Sequence, residues 1–262
     1  MRGTGEWPGV GHNRGMPTPP DHAVLYPDVA AAGSLAAALR AAAEGCPGTA
    51  PAISSGSDPL LHATVASGLP HRQPLEVRAW VHGRRWSIRG TGPFENLALV
   101  DGRTDDLAAV ARVAKAWHDG ADLDDIALAA SFVHLTGRFE IPHLDPARLT
   151  ASEWQAMRQE AADMDYTWQE TYQALIEAAH AEPTLRALYP FTSHWTLRFS
   201  LTTQPGLTVV GPCLSARSDG TYAVGTTMAA DQDLGRFATP HEAVAAAAHH
   251  LPSGLGPVTL GT

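Results

Sequence analysis

The chain has 262 residues, enough for one large or two small domains with a sizeable core. Its formal net charge is −9 and it has a single lysine, Lys115, so the balance argues against a nucleic-acid partner, whose phosphates are held by clustered Lys and Arg. Two cysteines, Cys46 and Cys213, lie far apart with no C-x-x-C spacing, and no apolar run reaches the about 20 residues of a membrane span; a reduced, cytoplasmic protein is expected.

Residues 1–22 are rich in Gly and Pro without periodicity and read as a mobile tail. Gly9-Val-Gly-His-Asn-Arg-Gly15 has the glycines of a phosphate loop, but no strand precedes it and Met16-Pro17 follows where a helix should begin. Residues 23–74 hold an N-terminal helix and a linker. The helix runs over Asp28–Glu44, Ala-rich, with Leu35 and Leu39 a turn apart and Gly45 as its stop. Cys46–Pro74, broken by Pro47, Pro51, Pro59 and Pro70 and by Ser54, Ser55 and Ser57, reads as loop with a short helical turn near Leu60–Val65.

Residues 75–262 form the core, beginning with a strand–helix unit over 75–120. Leu75, Val77, Ala79 and Val81 alternate with Glu76, Arg78, Trp80 and His82, a turn follows at 82–85, and Trp86 and Ile88 return. The outward Arg and Trp side chains suit either an acidic or aromatic partner or a solvated face. A third strand is expected near Leu97–Val100. Thr104-Asp-Asp106 then caps a helix whose buried stripe is Leu107, Val110, Val113, Ala114 and Trp117.

The region 121–188 reads as helical. A helix is expected over Leu123–Leu135, and the acids before it, Asp119, Asp122, Asp124 and Asp125, lack calcium-loop spacing and fit capping. Thr150-Ala-Ser-Glu153 has the pattern of a capping box. Trp154, Met157, Ala161, Met164, Trp168, Tyr172, Leu175 and Ala179 follow at three- and four-residue steps, one helix or two collinear ones, whose aromatic stripe either packs a core or lines a ligand pocket.

A second strand–helix unit spans 189–262. Pro190 ends the preceding helix, and Trp195, Leu197 and Phe199 are predicted on one face of a strand with Thr196, Arg198 and Ser200 on the other. Thr192, Ser193 and His194 then stand at the mouth of that strand. Two readings compete there: an acid/base and hydrogen-bonding set of His194, Ser193 and Arg198 with Thr192, Trp195 and Arg78 holding a ligand, or polar caps at a helix-to-strand junction. Turns at Gln204-Pro-Gly206 and Arg217-Ser-Asp-Gly220 imply a three-stranded meander through Leu207–Ala216 and Thr221–Met228; a loop with Asp231 and Asp233 leads to Thr239-Pro-His-Glu242, which opens a helix. His249 and His250 point about 100° apart and cannot share a metal.

The fold class is therefore α+β, two antiparallel β-meander-plus-helix units flanking a helical middle region. No nucleotide loop, nucleophile elbow or zinc motif is present, and no metal or cofactor is implied.

Trp86, the Thr104–Val110 run through Trp117, Glu153-Trp154, Leu185-Arg-Ala-Leu-Tyr-Pro-Phe-Thr-Ser-His194, Leu197-Arg-Phe-Ser200, Gly211-Pro-Cys213, Asp219-Gly220 with Tyr222, and Thr239 through Pro252 together resemble an uncharacterised bacterial family of natural-product biosynthesis proteins of unknown function. The resemblance covers about residues 70–255. It implies a pathway setting, with modified peptides among the products, and no reaction. The expected function is an accessory or tailoring protein that binds a small-molecule or peptide intermediate alongside a partner biosynthetic protein. The alternatives are a cofactor-independent cyclase, lyase or isomerase using His194, and an immunity or scaffold protein acting through an interface. No nucleic acid or membrane partner is expected.

Overall fold

The computed structural model describes residues 21–44, 50–94, 97–226 and 234–261. The tail expected over 1–22, but for its last two residues, lies outside them, as do Cys46, Met228, Asp231 and Asp233. Over the described residues the chain is α+β, with two antiparallel sheets of six and five strands, each a meander in sequence order.

The first unit begins with three short helices, α1 (His22–Leu25), α2 (Pro27–Ala32) and α3 (Leu35–Ala43). The single helix predicted over Asp28–Glu44 is broken because Gly33 adopts φ +80° and Ser34 starts a new helix, its hydroxyl accepting from Ala37 N at 3.1 Å. The stretch read as linker contributes two strands, β1 (Ile53–Ser55) and β2 (His62–Val65). Both are too short for their alternation to stand out among the prolines and serines, yet Ala63 and Val65 are fully buried.

β3 (Leu75–Ala79), β4 (Trp86–Thr91) and β5 (Ala98–Thr104) follow the predicted alternation, and α4 (Leu107–Asp119) is capped by Asp106 and closed by Gly120 at φ +74°. Leu75, Val77, Trp86, Ile88 and Val100 turn inward against Leu35, Leu39, Val110, Val113 and Trp117. Gly90 is required here: a Cβ would meet the Trp117 ring at 2.6 Å and Val100 at 2.8 Å. The next helix, α5 (Leu123–Ala129), ends earlier than predicted, because Val133–Leu135 is β6, paired with β5 as Asp101↔His134. Ala130 at φ −158° leaves helical geometry and frees the chain to turn back onto the sheet.

Residues 136–149 join the two units. The Thr136 hydroxyl donates to Ala98 O at 2.6 Å, Leu97, Ile141 and Leu149 make a small cluster, and the Arg138 guanidinium donates to both Glu153 carboxylate oxygens at 2.9 and 2.7 Å.

In the second unit α6 (Pro146–Asp163) starts earlier than the sequence pattern predicts. Its cap is Asp145, with Pro146 in the first turn; Thr150 is internal and donates to Pro146 O at 2.8 Å, and Glu153 is committed to Arg138. α7 (Gln169–Ala181) is not collinear with it but folded back: Gln169 reaches Ala162 O, Arg158 reaches Glu177, and Trp154 lies 5.5 Å from His180. The apolar stripe is thus the seam of a helical hairpin.

After α8 (Pro183–Arg186) come β7 (Tyr189–Ser193), β8 (Thr196–Ser200), β9 (Val209–Ala216), β10 (Tyr222–Gly225), β11 (Gly235–Phe237) and α9 (Pro240–His249), the last opened by the Thr239/Glu242 capping box. The predicted three strands are five, because Tyr189–Ser193 and Gly235–Phe237 are themselves strands, paired with β8 and β10. Pro190 is tolerated because β7 is the edge of its sheet. Leu197, Phe199, Leu214 and Val224 face Trp154, Leu175, Ile176, Val244 and Ala247.

Candidate functional site

Helices cover one face of the six-stranded sheet; the other is open and polar. Because side chains alternate, the residues between the core positions of each strand project onto that face. Register aligns them in rows: Thr64, Glu76, Arg89, Asp101 and His134 are successive cross-strand partners from β2 to β6. The next row holds His62, Arg78, Ser87 and Arg103. The twist of the sheet hollows this face into a concavity of about 830 Å³, lined by ten polar or charged side chains that include Gln73 and Thr91. A second hollow, near Leu97, Leu99 and Ile141 at the junction, has room for about one water at 20 Å³.

Three guanidiniums stand on the open face against two carboxylates. Arg78 is paired with Glu76 at 2.9 Å, and both are exposed, so the pair contributes little to stability. Arg89 lies opposite Glu76 on one side and Asp101 on the other, yet among the described residues it bridges to neither. Arg103 likewise has no ion-pair partner there, and both side chains are exposed. The site is therefore a hydrogen-bonded platform on which two guanidiniums have no ion-pair partner among the described residues.

The sequence-predicted residues separate into two places. Arg78 belongs to this face. Thr192, Ser193, His194, Trp195 and Arg198 share the β7–β8 hairpin of the other sheet and do not line the concavity. The hairpin loop is two residues long, His194 and Trp195, with φ +52° and +63°, the mirrored turn whose twist suits adjacent antiparallel strands. His194 is thus at an exposed tip, its Nδ1 3.3 Å from Ser193 Oγ. Trp195 is in the turn rather than on the inward face of the strand, where only Leu197 and Phe199 are buried. Arg198 stacks over Phe191, its cross-strand partner, at 5.5 Å. Thr192 is half-buried opposite Leu197.

A left-handed conformation at two non-glycine residues costs about 1–3 kcal/mol each and persists where packing fixes it. The fixing contacts are aromatic. Trp195 lies edge-on to Trp168, Tyr172 and Tyr166 at 5.6, 5.8 and 6.1 Å, and Tyr166 stacks on Trp168 at 5.5 Å. Tyr166 and Trp195 remain 56% and 38% exposed, which makes the cluster a surface ledge. Below it the Tyr172 hydroxyl is buried without a partner among the described residues; burial, reinforced by the charge of Glu160, pushes its pKa up. Burial likewise raises Glu160.

A second polar cluster sits at the junction. The fully buried Arg72 side chain donates through Nη2 to Glu140 at 2.9 Å and to Ala121 O at 2.7 Å, and lies 4.8 Å over Trp117. His71 adds a 3.0 Å contact to Glu140. Burial pulls the Glu140 carboxyl up, but the hydrogen bonds and charge of Arg72 outweigh it and hold its pKa below the usual carboxylate value. Arg72 Nη1 is buried without a partner among the described residues, and the cluster ties the first unit to the segment that joins it to the second.

Residues 148–262 match a family of unknown function, DUF6193. The match begins in α6 and takes in the second sheet, the His194 hairpin and the aromatic ledge; it starts well after residue 70, and the concave face lies before it. Comparison with curated proteins and with solved structures gives no match. Among the described residues no group of three or more His, Cys, Asp or Glu side chains is placed to hold a metal, and no helix is long and apolar enough to cross a membrane.

Sequence reasoning reached Arg89 only as one of the outward arginines of the first hairpin, and missed Asp101, Arg103 and His134. The signal for Arg89 was present, since it continues the alternation of Trp86 and Ile88. His134 was hidden by its assignment to a helix.

Proposed function

We propose that the protein is a binding protein that holds an anionic small-molecule or peptide intermediate on the open face of its six-stranded sheet, as an accessory component of bacterial secondary-metabolite biosynthesis. The observation that carries the reading is the register of the sheet, which sets Arg78, Arg89 and Arg103 on one concave surface with Arg89 and Arg103 unpaired among the described residues. Guanidiniums so placed offer forked donors to carboxylate or phosphoryl oxygens. The surrounding Thr64, Ser87, Gln73 and His134 add the neutral donors and acceptors that orient a polar ligand. The pathway setting rests on the family resemblance alone.

An enzyme reading through His194 asks for an anion-holding arginine beside the imidazole. Arg198 is on the same hairpin but stacked on Phe191, and Arg78 is on the other sheet. The exposed Tyr166–Trp168–Trp195 ledge favours a different second reading, contact with a partner protein through the family-matched unit.

The deciding experiment incubates the purified protein with small-molecule extract from a strain lacking its gene and analyses bound and free fractions by mass spectrometry. The expected outcome is a compound retained unchanged at stoichiometric amounts by the wild type and lost from the Arg89→Glu/Arg103→Glu variant. A compound converted catalytically would replace this reading with an enzyme, and retention by the variant would move the site elsewhere.

A further inference from the structure

The open face has a centre, and its chemistry is narrower than a preference for negative charge. Ser87 stands in the middle of β4 with Arg78 directly opposite on β3 and Arg103 directly opposite on β5, while Arg89 follows two residues along the same strand. Cross-strand partners are about 5 Å apart at Cα and same-face neighbours on one strand about 6.7 Å, so three guanidiniums surround one hydroxyl well within an arginine side chain's reach. The Ser87 Oγ contact to Arg78 O is long, 3.4 Å, so the hydroxyl is weakly committed.

Glu76 already neutralises Arg78. Arg89 and Arg103 are left without an ion-pair partner among the described residues, with Asp101 opposite Arg89 but not bridged to it, so the face keeps a net positive charge and two guanidiniums able to engage one anion. A carboxylate supplies one charge and two oxygens in a plane. A phosphate monoester supplies close to two charges and three oxygens in a pyramid, enough to engage both guanidiniums and the Ser87 hydroxyl at once. We infer that the Arg89–Arg103–Ser87 collar binds the phosphate monoester group of its ligand, an inference that rests on the binding reading above and names the ligand's class. The collar is a local exception on a chain of net charge −9, and its flanking carboxylates, Glu76 and Asp101, disfavour a long polyanion such as nucleic acid.

The test titrates phenyl phosphate and benzoate, matched in ring and differing in the anion, into the full-length protein by calorimetry, with amide chemical shifts recorded in parallel. Phenyl phosphate is expected to bind at least about tenfold more tightly than benzoate and to move the Ser87, Arg89 and Arg103 amides. Arg103→Gln should weaken it about tenfold and the Arg89→Gln/Arg103→Gln pair should abolish it, with the melting temperature unchanged because both side chains are exposed; Arg236→Gln, on the other sheet, should change nothing. A phosphoserine tripeptide binding better than phenyl phosphate would assign the ester to a peptide rather than a small molecule. Equal affinity for benzoate, or full affinity in the double variant, would overturn the assignment. If a compound retained from the extract shifts Thr64 and His134 while phenyl phosphate leaves Ser87 unmoved, the face binds but the collar is not a phosphate site. If neither shifts these residues, the binding reading falls with it.

Discussion

The two sheets are built alike and finished differently. Each is an antiparallel meander with helices on one face. The six-stranded sheet leaves its second face bare and charged, with rows of side chains in register across five strands. The five-stranded sheet concentrates its exposed chemistry at one hairpin end, where Trp195 joins an aromatic ledge. A broad polar face on a hydrogen-bonded platform suits a ligand that must be oriented, whereas a compact aromatic ledge suits a flat contact whose energy comes from burial. One chain thus carries two chemically different exposed surfaces, and only the second lies in the family-matched stretch.

The comparison is tested most strongly at the two cores. Trp117 anchors the first and Trp154 the second, both at most 1% exposed. Trp117→Ala and Trp154→Ala should each cost about 3–5 kcal/mol. Hydrogen exchange resolved by residue would show whether each lesion loosens its own unit first. Uniform loss of protection in both variants would mean that the units fold as one.

The bridge between them comes next. Glu153→Ala strands the largely buried Arg138 guanidinium and is expected to cost about 3 kcal/mol. Denaturant unfolding should become biphasic as the units uncouple, and a single unchanged transition would assign the coupling to the apolar contacts of Leu97, Ile141 and Leu149 instead.

The Arg72–Glu140 cluster gives the junction a pH dependence of defined sign. Because the folded-state pKa of Glu140 is depressed, its stabilisation is complete above the unfolded value of about 4.3 and is lost as pH falls through the lower folded value. Glu140→Gln should therefore flatten the acid limb of a melting-temperature profile and leave its slope near neutral pH unchanged.

Smaller still is the ledge. Trp195→Ala removes three edge-on ring contacts and should cost about 1 kcal/mol, without altering ligand retention by the open face. A loss of retention would join the two surfaces into one site. The smallest effect on stability, within about 0.5 kcal/mol, is expected for Arg89→Gln, whose consequence should be confined to binding.

Much of this was legible in the chain. The alternation of Leu75, Val77 and Ala79, the Asp106 and Thr239 caps and the stop at Gly120 are local signals, and the elements they specify formed where expected. The short strands β1, β2 and β6 were not legible, because they are held by their cross-strand partners rather than by their own propensity. Tyr189–Ser200 illustrates the limit. Its alternation was readable, but a hairpin loop of His194 and Trp195 contains none of the Gly or Asn that announces such a turn; contacts with Tyr166, Trp168 and Tyr172 hold it instead.

By itself the sequence determined the periodicities, the caps and therefore the α+β class, since these depend on neighbours within one or two turns. Tertiary structure decided which strands meet and in what register. That decision placed Arg78, Arg89 and Arg103 around Ser87, and it kept Arg78 away from His194. A charged face is a property of register, and register is fixed by the core on the opposite side of the sheet.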